Sequence, residues 1–334
     1  MGAQLLILGN SGQSQEIRQD SITAYRYWMK WFGSLACVAT VTCASAQEPG
    51  GQPQITADDI RRFLENESGE LSEIAKALMG NGDTNRLFYF PTRDEPATPA
   101  KWKFRYDDVN FESADGTKLH GWFLKVKEGK PKGTVVFSHG NAGSIGHHLG
   151  FVMWLAEAGY QVLMYDYRGF GRSEGEVDRK GMVEDVQAAF NYVSKRPDVD
   201  ADRLVSYGHS LGGAKSVTAI AEANPKGVKA IIIDGAFASY REMATHIGGQ
   251  FGAKMISDEL SPKDFIKKIT KIPLLVIHGT QDEVVPLAQG KKLFDLANEP
   301  KTLFEVKEGR HGDSLSRDAG VYRKRMLKWL DEVI

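Results

Sequence analysis

Cysteine is nearly missing from this chain: two occur in 334 residues, Cys37 and Cys43, and both precede residue 47. The remainder therefore has no disulfide framework and no thiolate metal centre. An excess of one charge is also lacking. The 42 Lys and Arg residues nearly balance 43 Asp and Glu, giving a formal net charge of -1. That balance gives no general attraction to nucleic acid or to an anionic membrane. No His-Glu-x-x-His pair or Cys–His cluster occurs, so no zinc site is expected and neither a metal nor another cofactor is called for. The turn Gly9-Asn10-Ser11-Gly12 follows an apolar run at 5–8 but lacks the third glycine of a dinucleotide fingerprint. The uncharged stretch 31–47 falls short of the about 20 residues that span a bilayer comfortably.

What that stretch does resemble is the apolar core of a secretory leader. Lys30 precedes it, Phe32, Leu35, Val38 and Val41 lie within it, and Ala44-Ser45-Ala46 ends it with the small residues a signal peptidase reads. Cleavage is expected between Ala46 and Gln47, giving an exported protein; the alternative is an uncleaved leader that keeps the chain in contact with the membrane. Met29 is an alternative start that would make a more compact leader. The residues before Cys37 and Cys43 do not fit a lipoprotein signal. N-terminal sequencing of the exported protein should begin at Gln47, whereas an intact leader on membrane-bound protein would overturn cleavage.

Residues 47–101 read as a linker and helical extension. Ile60, Phe63, Leu64, Leu71, Ile74, Ala75 and Leu78 recur at helical spacing, interrupted at Ser68-Gly69, which predicts two short helices. From residue 102 to 334 the pattern is that of one domain, within the size a single core reaches. Strands are expected at 103–112 and 117–126, joined as a hairpin across Asp115-Gly116. Thereafter strands at 134–138, 161–165, 203–207, 230–233, 274–277 and 302–306 alternate with helical segments at 146–158, 181–195, 211–223 and 287–296, and a helix closes the chain. Such alternation predicts an α/β fold on a mostly parallel sheet, opened by antiparallel strands.

The chemistry concentrates at Gly208-His209-Ser210-Leu211-Gly212-Gly213, between an apolar run and a helical segment. This is a G-x-S-x-G nucleophile elbow in the context it requires. A sharp strand-to-helix turn lifts the serine hydroxyl clear of the sheet, and glycines at 208 and 212 remove side chains that would collide there. The helix N-terminus behind Ser210 favours developing negative charge.

With this motif the stretch from about residue 102 onward resembles the alpha/beta-hydrolase superfamily, whose order of nucleophile, acid and histidine is matched here. Ser210 is followed by Asp282 in Gly279-Thr280-Gln281-Asp282-Glu283-Val284-Val285-Pro286 and by His311 in Gly309-Arg310-His311-Gly312-Asp313. The resemblance implies Ser210 as nucleophile, His311 as general base and Asp282 as the orienting carboxylate. Asp234, at the end of the preceding strand, is the rival acid. His139-Gly140-Asn141-Ala142-Gly143 resembles the family's oxyanion loop, implying that the backbone N–H groups of Asn141 and Leu211 bind the tetrahedral oxygen. Asp166-Tyr167-Arg168-Gly169-Phe170-Gly171-Arg172-Ser173 resembles an architectural loop of the same family rather than a nucleotide site. His209 is expected to be structural, while His147, His148 and His246 are candidates for substrate contact.

The resemblance further implies helices on both faces of the sheet, a small lid, and a small-molecule acyl ester as substrate. Serine at the elbow argues against the branches that use a carboxylate nucleophile. Thioesterase or depalmitoylase activity and a serine aminopeptidase-like activity are alternatives, and an intact set of three residues disfavours a non-catalytic binding protein. Met243, Ile247, Phe251 and Met255, four residues apart, form either an apolar lid or a core-packing stripe.

Overall fold

The computed structural model describes residues 88–334. The leader, the linker and the two expected helices of the extension lie outside the described residues, as does the side chain of Phe251. An eight-stranded sheet dominates the described part. Its strands are β2 (Tyr106–Glu112), β3 (Lys118–Leu124), β4 (Gly133–Ser138), β6 (Tyr160–Tyr165), β7 (Leu204–His209), β8 (Val228–Asp234), β9 (Leu274–Gly279) and β10 (Lys301–Val306). They lie in the order β10-β9-β8-β7-β4-β6-β3-β2. β2 and β3 form the expected hairpin, and β3 runs antiparallel to β6 as well. From β6 to β10 every pairing is parallel. A separate two-residue strand, β1 (Phe90–Pro91), pairs in parallel with β5 (Ala142–Gly143).

β4, β6, β7 and β9 are buried at every residue, which requires cover on both faces of the sheet. β2 alternates instead, burying Val109 and Phe111 at the wet edge. The cover is helical: α1 (Met153–Glu157), α2 (Arg179–Ser194), α3 (Leu211–Ala223), α4 (Tyr240–Met255), α5 (Leu287–Leu296) and α6 (Val321–Val333). The first ten residues of α3 are all buried. Its small side chains at Gly212, Gly213 and Ala214 let the helix lie close to the sheet, and each large side chain sealed beneath such helices, such as Phe137 or Ile232, contributes about 1.5–3 kcal/mol.

Two expectations need correction. The helix expected over 146–158 is two 3-10 turns, Ile145–His147 and Leu149–Phe151, followed by the short α1. Tertiary contacts override the helical pattern here: Asp166 Oδ1 takes the Ile145 N–H at 2.8 Å, and Gly146 lies against the Pro96–Ala97 backbone. The four-residue stripe on α4 is not one continuous face either. The backbone leaves helical geometry at Gly248 and Gly249, the latter with φ 58°. A Cβ on Gly252 would stand 2.1 Å from the Ala244 carbonyl oxygen, whereas a straight helix separates residues eight apart by about 12 Å. The second half of α4 thus doubles back on the first, with Met243 buried and Ile247 and Met255 half-buried.

Candidate active site

The parallel register brings the ends of four strands into line. Ser138 of β4 pairs with Gly208, His209 with Asp234 of β8, and Asp234 with Ile277 of β9. Ligand sites of open α/β sheets form just beyond such carboxyl ends. Ser210 follows β7 there as the residue before α3, with φ 54° and ψ −117°. For a residue with a Cβ this backbone is strained by about 1–3 kcal/mol. The Ser210 N–H is held by the Asp234 carbonyl at 2.8 Å, and the Ser210 carbonyl accepts from the N–H groups of Gly213 and Ala214. Gly212 permits the turn: a Cβ there would fall 1.9 Å from the Ser138 carbonyl oxygen.

Asp282 and His311 meet from the loops after β9 and β10. His311 Nδ1 donates to Asp282 Oδ2 at 2.8 Å. Asp282 Oδ1 accepts the N–H groups of Val284 at 3.0 Å and Val285 at 2.8 Å, so both carboxylate oxygens are occupied. Burial opposes charge on Asp282, but the imidazole, with those N–H bonds, holds its carboxyl below the usual range. Burial likewise pushes His311 down, yet the Asp282 carboxylate outweighs it and the group ends above its ordinary value. Gly235 makes room for the pair. A Cβ on it would lie 3.3 Å from His311 Nδ1 and 3.4 Å from Asp282 Oδ2. His278, fully buried behind the pair, bonds the Val285 carbonyl through Nε2 at 2.8 Å.

The rival acid is placed differently. Asp234 Oδ2 lies 3.7 Å from His209 Nδ1 and accepts from the Tyr207 hydroxyl at 3.5 Å. The His209 ring packs between Phe151, at a centroid distance of 4.3 Å, and His311, at 4.8 Å. Asp282 therefore holds His311, while Asp234 faces the histidine that supports it from beneath.

On the other side of Ser210 runs the loop 139–143. A methyl carbon on Gly140 would stand 3.9 Å from Ser210 Cβ, which sets this backbone beside Ser210. Leu211, as the first residue of α3, has no acceptor within its own helix for its N–H. Asn141 directs its side chain away to the Phe88 carbonyl at 3.2 Å, and its own carbonyl accepts the Phe90 N–H at 2.8 Å. Residues 88–93 thereby strap the loop from outside, and Thr92 continues the strap by bonding Gly143 and Gly171. Sequence reasoning missed this strap, which lies within the stretch assigned to the extension. Its one legible trace is the apolar run Leu87-Phe88-Tyr89-Phe90. Among the other histidines, His147 caps the Ser144 turn, His148 stands beside Gly140 and His246 is exposed on α4.

The loop 166–173 is structural, as expected. Arg168 is buried against Asp185 at 2.8 Å and also reaches Asp115 at 2.8 Å, tying β6 to α2 and to the hairpin. Among the described residues no group of three or more His, Cys, Asp and Glu is arranged to hold a metal ion, and no helix is long and apolar enough to cross a membrane.

This sheet, elbow and sequence place the chain in a known class: it belongs to the alpha/beta-hydrolase family and is a hydrolase of that type. A family model described as Serine aminopeptidase, S33, matches residues 129–262. An uncharacterized protein of Escherichia coli strain K12, YfhR, is 38% identical over 248 residues, covering 73% of this chain and 86% of the relative. The alpha/beta hydrolase domain-containing protein WAV2 of Arabidopsis thaliana is 34% identical over 270 residues, covering 74% and 87%. In fold the chain is similar to an esterase from Pyrococcus furiosus, with a TM-score of 0.64 at 18% identity over 74% of this chain and 98% of that one.

Proposed function

We propose that this protein hydrolyses small-molecule carboxylic esters through an acyl-enzyme on Ser210, with His311 as general base and Asp282 as its orienting carboxylate. The observation that carries the reading is a serine on a strained elbow next to His209, whose ring packs on His311, a histidine whose Nδ1 is already bound to a buried carboxylate. That bond fixes the tautomer and leaves Nε2 as the basic nitrogen. Ser210 Oγ attacks the carbonyl carbon while its proton passes to His311. As the tetrahedral intermediate collapses, the ester C–O bond breaks and the proton goes to the departing alcohol. Water then repeats the sequence on the acyl-enzyme. The N–H groups of Leu211 and Asn141 are suited to hold the oxyanion, and losing one such donor typically costs about 2.7–4 kcal/mol.

A second reading, an aminopeptidase, is favoured by the description of the matching family model. One panel separates them: p-nitrophenyl esters of increasing acyl length run beside aminoacyl anilides. Phe151 offers a half-buried apolar face next to His209, and each methylene set against such a face leaves water with a gain of about 0.8 kcal/mol. The expected result is a kcat/KM that rises over the first added carbons and then levels or falls. Activity confined to the anilides, or climbing without limit to long chains, would overturn this substrate class.

A further inference from the structure

We infer that His148 is a specificity-determining residue, and that the preferred ester carries a hydrogen-bond donor, a hydroxyl or N–H, a few atoms from the scissile carbonyl. The inference rests on the ester-hydrolase reading and specifies its substrate. His148 Nδ1 lies 3.0 Å from the Ser144 carbonyl oxygen. A carbonyl only accepts, so Nδ1 must carry a proton. Burial pushes the imidazole down to about 3, so the ring is neutral and Nε2 holds a bare lone pair. Among the described residues no donor bonds that nitrogen, and it is not among the polar atoms sealed from solvent.

Its position gives the lone pair a purpose. A methyl carbon on Gly140 would stand 3.4 Å from His148 Nε2, 3.6 Å from His209 Cδ2 and 3.9 Å from Ser210 Cβ. The acceptor and the nucleophile thus flank the same point on the loop beside Ser210. The ring is set between His139, at a centroid distance of 5.0 Å, and Phe151, at 5.8 Å, and His139 spends its own Nδ1 proton on the Gly140 carbonyl. A substrate that sets only methylene against Nε2 leaves an acceptor unpaired, whereas one that brings a hydroxyl pairs it. Sites of this kind discriminate against analogues that lack the donor.

The test compares ethyl butyrate with two esters that differ from it by one hydroxyl, 2-hydroxyethyl butyrate on the alcohol side and ethyl 3-hydroxybutyrate on the acyl side. The wild-type kcat/KM should favour at least one hydroxylated ester by about tenfold, and the pair that responds tells which side of the substrate faces His148. In His148→Phe that ratio should fall to about one. His148→Gln, which restores an acceptor oxygen, should recover part of it. A ratio of rate constants within one variant does not depend on how much of the preparation is folded, so a purely structural role for His148 would leave it unmoved. Equal turnover of all three esters by the wild type, or a preference that survives His148→Phe, would overturn this assignment alone. No turnover of any of the three would overturn it together with the ester reading.

Discussion

Ser210→Ala is expected to abolish labelling by a fluorophosphonate probe and to lower kcat by several orders of magnitude, on the order of 10⁶-fold if the three residues act as one unit. The same variant should keep its circular dichroism spectrum and nearly its full thermal stability. Alanine inherits the backbone at φ 54° and ψ −117°, including its strain, and the turn is held by main-chain bonds from Asp234, Gly213 and Ala214 rather than by the serine hydroxyl. Undiminished labelling would show that another residue is the nucleophile.

Asp282→Asn should reduce kcat by about 10⁴-fold, because an amide in that position favours the wrong imidazole tautomer. The pH profile should move as well. His311 acts as a base only when neutral, and the carboxylate raises its titration above the ordinary value, so wild-type kcat/KM should decline as pH falls through that raised value. With the charge gone the group titrates lower, and the acidic limb should shift to lower pH. Asp234→Asn, at a carboxylate that faces His209 and acts on His311 only as a more distant charge, should cost far less. A crippled Asp234→Asn beside a nearly normal Asp282→Asn would reverse the assignment.

The strand-to-helix turn at Ser210 was legible from sequence because its signal is local: two glycines, a strand before and a helix after. Helices 211–223 and 287–296 were also legible to the residue, the first because it starts at the elbow. Asp282 and Asp234 were ambiguous because both end neighbouring strands, and only the meeting of two loops distant in sequence decides which carboxylate His311 bonds. The break in α4 had a visible cause in Gly248-Gly249, a breaker pair that a four-residue apolar spacing obscured. The strap at 88–93 had no periodicity to reveal it, since two paired residues are too few to carry one.

The strap also bears on when the protein becomes competent. Ser210 and its turn are built into the eight-stranded sheet, with the Ser210 N–H held by Asp234 and Gly212 packed on Ser138. Asn141, in contrast, is held by Phe88, in a strap outside that sheet, so its placement waits on closing a loop of its own. A refolding chain should therefore complete the sheet and the turn at Ser210 before the loop 139–143 is in place, and recovery of turnover should lag behind recovery of the sheet and its helices.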